Sequence, residues 1–180
     1  MTAVPLEPGQ CTCVVRSFRE GLLSAMGHDL VLDAPPTAVT VDPEARVVEA
    51  RFDPRAVTVR AAVVHGHEDP GALSANDRSK ILGNLVDTVL TARAHPAVTF
   101  RGQWKDEPEG ELSVAGDLTL RGVTRPVRGA VRRVGERLVA EFVLRPSQWG
   151  IVPFVALLGA LRVRDEVRVE VSLPTRVATL

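Results

Sequence analysis

Apolar and polar residues alternate with a period of two in several separated stretches of this chain, a pattern that fits a pleated strand with one buried and one wet face. Leu112, Val114, Leu118 and Leu120 stand against Glu111, Ser113, Asp117 and Thr119, and Val57, Val59, Ala61 and Val63 against Thr58 and Arg60. Leu138, Ala140, Phe142 and Leu144 oppose Glu141 and Arg145, and Val163, Val167, Val169 and Val171 oppose Arg164, Arg168 and Glu170. One dry and one wet face is the signature of an antiparallel sheet. Gly110, Gly122 and Gly135, with the pairs Asp53-Pro54 and Arg125-Pro126, are expected to break the runs into about eight or nine short strands. A sheet of that size must manage its edges by stacking as a sandwich or closing as a barrel.

Two segments depart from this period. In SANDRSKILGNLVDTVLTARAHP, Ile81, Leu82, Leu85, Val86, Val89 and Leu90 mark one helical face. Asn76 or Asp77 is placed to cap its start and Pro96 to close its exit. The second is GIVPFVALLGALRV, whose residues Val152 to Leu161 carry no charge. It falls short of the roughly 18 residues a membrane span needs, so it is read as a short helical or loop segment that is buried or lines the entrance to a ligand site.

The chain of 180 residues is read as one domain, 1–180, with no linker or internal repeat. Its 22 basic residues balance 22 acidic ones, so there is no global field of the kind that collects nucleic acid or anionic membrane, and a polyanionic partner is disfavoured. No stable membrane insertion is expected. The N-terminus shows no basic start followed by an apolar core and cleavage site, which makes the cytoplasm the default compartment. Cys11 and Cys13 share one face of a strand and read as two small buried apolar groups rather than half of a metal site.

The residues of a type that carries chemistry are few. His65 and His67, followed by Glu68 and Asp69, would share a face on a continuing strand and supply metal ligands, but they run into DPGALS and read better as a solvated loop. His28 and Asp29 are neighbours and point to opposite faces, so adjacency alone makes no catalytic pair. His95 precedes a proline where a helix should end, and is assigned to its terminal carbonyls. Arg121, Arg125 and Arg128 could form a small anion site, though on alternating strands they read as the wet face. There is no Gly-x-Ser-x-Gly elbow, no activated thiol and no phosphate-cradling loop. No catalytic residue, metal or cofactor is expected, and the chain is not read as an enzyme.

GDLTLRGVTRPVRGAV, Gly116 to Val131, resembles the signature run of the YceI-like family. The helical stretch followed by His95-Pro96-Ala97-Val98-Thr99-Phe100 is similar to that family's helix and next strand, and Asp165-Glu166-Val167 to the opening of its last strand. Where the family carries an RD-x-H-L run before the helix, this chain has NDRSKIL. The resemblance implies a mainly β fold: an extended, antiparallel, eight-stranded, lipocalin-like β-barrel with one amphipathic α-helix, of the size that closes around one small ligand. It implies a lipid or isoprenoid ligand inside: a polyisoprenoid, an isoprenoid quinone or a fatty-acid derivative. Members of the family are often periplasmic.

On this reading the chain is a non-catalytic binding or carrier protein. The ligand contacts expected are Phe52, Phe100, Leu118 and Phe142 on strands, His28 at the mouth, and Trp149, Phe154, Leu157 and Leu158 as a lip or gate. Two alternatives stand beside it. One is a metal-dependent enzyme using His28, His65 and His67. The other is a ligand-free structural or partner-binding barrel, in which PFVALLGAL would be an interface, as in a homodimer.

Overall fold

A computed structural model describes residues 3–20, 27–156, 158 and 161–178. In chain order the strands are β1 (Val4–Pro5), β2 (Thr12–Glu20), β3 (Asp29–Asp33), β4 (Pro36–Asp42), β5 (Val47–Phe52), β6 (Thr58–Val64) and β7 (His67–Asp69). After the helix α1 (Ala75–Gly83) come β8 (Val98–Asp106), β9 (Leu112–Leu120), β10 (Val123–Val134), β11 (Arg137–Leu144), β12 (Val155–Ala156) and β13 (Leu161–Pro174). The pairings are antiparallel and form one sheet, in the order β1-β4-β5-β8-β9-β10-β11-β13-β2-β3-β6-β7, with β12 added on β13.

The fold is mainly β with a helix, but the expected eight-stranded closed barrel is not found: among the described residues twelve strands follow one another along an open path. The alternation reveals β6, β9, β11 and β13 but is blind to two- and three-residue strands such as β1, β7 and β12, which bear too few residues to show a period. Instead of closing strand to strand, part of the interior wall is helical. α1 continues as a π-helical turn over Asn84–Val89, and Ile81, Leu85, Val89 and Leu90 face the same interior as the strands.

Helix entry is fixed by a capping box whose N-cap is Ser74, two residues before Asn76 and three before Asp77, the caps the sequence suggested. The Ser74 Oγ accepts from the Asp77 N–H and the Asp77 carboxylate accepts from the Ser74 N–H, each at 3.1 Å. Arg78 then ties the first turn to β6 by donating to the carbonyls of Val59 and Pro70. The helix does not run on to Pro96. It widens at the π turn, where the Leu90 N–H reaches the Leu85 carbonyl at 2.8 Å, and Thr91 takes a positive φ of 47°. Arg125-Pro126, expected to interrupt a strand, lies inside β10. β11 pairs only with Gly129–Val134, so at Pro126 one side of β10 has no strand and the missing N–H breaks no ladder there.

Strand parity decides what faces inward. Cys11, Val39, Val41 and Val177 form a buried cluster against Val48, Trp104, Val171 and Leu173 at the end where β2 begins and β13 finishes. Further along, the Phe100 and Phe142 rings meet edge to face, 5.8 Å between centroids and 69° between planes. Both rings lie flat on glycine. A Cβ on Gly102 would stand 2.5 Å from the Phe100 ring, and one on Gly129 would stand 2.9 Å from the Phe142 ring and 2.6 Å from the Glu141 carbonyl oxygen. The neighbour at Gly129 is backbone and cannot move aside. Gly129→Ala is therefore expected to lower the free energy of unfolding by about 1–3 kcal/mol, read as a lower urea midpoint with an unchanged slope.

Candidate functional site

The concave side of the sheet encloses a cavity of about 1510 Å³. Much of its wall is built by alternate residues of long strands: Val15 and Ser17 from β2, Leu30 and Leu32 from β3, Phe100 from β8, Leu118 from β9, Phe142 and Leu144 from β11, and Val167 and Val169 from β13. Most of this wall is apolar. At the end where β2 finishes and β3 begins, Arg19, Gly27, His28, Phe154, Arg162 and Arg164 line the opening.

Of the expected contacts, His28, Phe52, Phe100, Leu118, Phe142 and Phe154 all line this cavity. Trp149 does not. It is 2% exposed, and its indole N–H donates to the Leu118 carbonyl at 3.2 Å, so it packs within the protein instead of serving as a gate. Leu158 is fully exposed and not part of the wall, and Leu157 lies outside the described residues. Sequence reasoning missed Ser17, Arg19, Leu30 and Leu32. Apolar alternation does not mark them, since Ser17 and Arg19 are polar with Phe18 between them and Leu30, Val31 and Leu32 run together; only the period-2 parity of a strand through Cys13 and Val15 pointed to Ser17 and Arg19.

The histidine and aspartate neighbours divide as strand geometry requires. His28 is exposed at the rim, while the Asp29 carboxylate accepts the Arg19 backbone N–H at 2.8 Å and the Arg19 guanidinium donates to the Gly27 carbonyl. Asp29 thereby fixes how the chain enters β3. His65 and His67 do not share a strand face: His65 and Gly66, at φ 50° and 83°, make the tight turn between β6 and β7, and both histidines are exposed. Among the described residues no group of three His, Cys, Asp or Glu side chains is arranged to hold a metal ion. His95 donates its backbone N–H to the Thr91 carbonyl at 3.0 Å and sets its ring beside Gly122.

The three arginines of the signature run make no anion site. Arg121 donates to the Gly150 carbonyl at 2.8 Å, Arg125 to the Gln148 carbonyl at 3.1 Å, and Arg128 to Glu107 at 2.6 Å. Two of them clamp the short 3₁₀ turn Pro146–Trp149 at the cavity mouth. Asp165 holds the same turn from β13, accepting the Ser147 N–H at 2.9 Å and its hydroxyl.

A sequence model of the YceI-like domain matches residues 32–174. The chain belongs to the YceI-like family. Two solved structures share its fold. A polyisoprenoid-binding domain from Saccharophagus degradans, implicated in plant cell wall breakdown, is 10% identical with a TM-score of 0.58, over 93% of this chain and 94% of that one. BcnA of Burkholderia cenocepacia is 16% identical with a TM-score of 0.52, over 93% and 97%. A search of curated proteins found no match. In this YceI-like chain, no described helix is long and apolar enough to cross a membrane.

Cys11 and Cys13 are buried, unpaired and on the cavity side. Burial pushes the Cys11 thiol up to about 11 against the opposing pull of Arg137, and burial with help from Cys11 and Asp33 pushes Cys13 up to about 12. The folded state thus keeps its protons above the ordinary value of 9.0, where the unfolded chain has lost them. Stability on their account is full below 9.0 and falls as the pH rises toward 11 and 12. Denaturant midpoints measured across that range should drop, and drop less in a Cys11→Ala, Cys13→Ala double variant.

Proposed function

We propose that the protein, as one YceI-like domain over residues 1–180, is a non-catalytic binder that holds a long amphiphile in this cavity: a polyisoprenoid, an isoprenoid quinone or a fatty-acid derivative. The observation that carries the reading is the combination of volume and wall. At about 1510 Å³ the cavity exceeds the roughly 300–1,000 Å³ usual for compact small-molecule pockets, and most of its wall is apolar. A chain threaded along such a wall gains about 0.8 kcal/mol for each CH₂ taken out of water, so ten would supply roughly 8 kcal/mol before ordering costs. Phe52, Phe100, Leu118, Phe142 and Phe154 are the side chains proposed to touch the tail, and His28 the head group at the mouth. The family membership and the polyisoprenoid-binding neighbour point to the same ligand class.

The direct test is organic extraction of protein purified from its native host, followed by mass spectrometry, which should recover a prenyl or fatty-acyl amphiphile. Recovery of none, together with failure to take up prenyl and fatty-acyl probes, would remove the reading. Filling the lumen is a second check. Ala140 points inward from β11 opposite Val131 and Val171, so Ala140→Trp should weaken uptake of a long-chain fluorescent probe by about tenfold or more, each CH₂ displaced from the wall costing about fourfold.

A further inference from the structure

Val152, Phe154, Val155 and Leu158 are 81%, 48%, 50% and 109% exposed, and all four fall in one short stretch of chain. Single apolar side chains at a surface are ordinary, but four together beside an opening mark a surface that meets something apolar. The stretch is continuous with the cavity: Val152, Pro153 and Phe154 also line the wall, next to Arg162 and His28. Its base is rigid. Trp149 is bonded to Leu118, Ser147 to Asp165 and Gly150 to Arg121, and the Phe154 carbonyl accepts the Val163 N–H at 3.0 Å.

The chain segment that carries this tip is basic, and the acidic group beside it, Glu20, stands opposite Arg162 on β2. Residues 145–164 include Arg145, Arg162 and Arg164 and no acidic residue. Arg162 is the direct cross-strand partner of Val155. Arg164 lies 3.9 Å from Glu20 and 5.8 Å from the Phe18 ring. The acidic residues that follow are engaged, Asp165 by Ser147 and Glu166 by Arg168 at 3.8 Å.

We propose that this tip and its arginine collar dock the protein on the surface of an anionic lipid bilayer, with the cavity mouth against the membrane. The proposal rests on the reading of the cavity as a lipid site. The apolar side chains enter the boundary between head groups and acyl chains while the guanidinium groups stay with lipid phosphates. Each arginine near an anionic surface adds roughly a fivefold gain in affinity. The same charge argues against a second copy as occupant, since a symmetric contact would bring two arginine collars together. A mouth pressed to the bilayer lets an amphiphile pass into the cavity without crossing water.

The test is flotation of the full chain with vesicles of phosphatidylcholine containing phosphatidylglycerol, and with vesicles of phosphatidylcholine alone. The protein is expected to float with the anionic vesicles, less with the neutral ones, and to be released by salt. Leu158→Asp and Val155→Asp should each lower the bound fraction about tenfold. Neither side chain lines the cavity, so uptake of a long-chain fatty-acyl probe in vesicle-free solution should be unchanged in both. Probe uptake without binding to anionic vesicles overturns the docking proposal and leaves the lipid-binding reading intact. Vesicle binding that Leu158→Asp abolishes, without probe uptake, supports docking and counts against the cavity reading. A dimer in solution that Leu158→Asp splits, without vesicle binding, overturns docking in favour of a contact between copies.

Discussion

Aromatic rings lying flat on bare backbone govern the interior of this protein, because a β-sheet wall encloses usable space only if its largest side chains do not project across it. Phe100 covers Gly102 and Phe142 covers Gly129, with no room for a Cβ beneath either ring. Gly116, the register partner of Gly102, is as closely approached: a Cβ there would lie 2.4 Å from the Gly102 Cα. Gly102 and Gly116, paired across β8 and β9, and Gly129, two residues along β10 from Gly116's partner Val127, thus mark where strands approach closely and rings fold down. The two rings still touch each other edge to face, which holds both in place.

The same economy explains the signature run of the β9–β10 hairpin. Its turn, Arg121 and Gly122, takes positive φ values of 51° and 72°, and the two arginines it projects hold carbonyls of the 148–150 segment instead of a ligand. Asp165 grips that segment from the other side at the register shift in β13. What looks in sequence like a run of functional polar residues is a bracket that carries the apolar mouth. Without charge-assisted bonds to the carbonyls of Gln148 and Gly150, a stretch as apolar and exposed as 152–155 would have little to hold it at the edge of the cavity it lines.

Much of this was legible in the chain. The period-2 runs located β6, β9, β11 and β13, and the change of period located the helix, since burial on one face imposes a repeat that composition cannot hide. The cysteines read as buried apolar groups and are so placed. Less legible were features set by contacts distant in sequence. Trp149 reads as a gate because it opens an apolar run, yet the carbonyl of Leu118 claims its indole N–H. Pro126 reads as a break because a lost N–H ends a strand when both neighbours are present, and here one is absent. The pair His65 and His67 reads as a shared face only if the strand continues, and a two-residue turn intervenes.

By itself the sequence determined which residues alternate, where the period changes, and which family the signature run matches. These are local properties, and side-chain parity along a strand needs no partner to define it. Only the tertiary structure decided that the sheet stays open with a helix completing its wall, that the inward parity of many strands converges on one cavity, and that His28 stands at its rim. Those outcomes depend on strand order, shear and the close approach of glycine backbones, and such terms couple residues that are far apart in the chain.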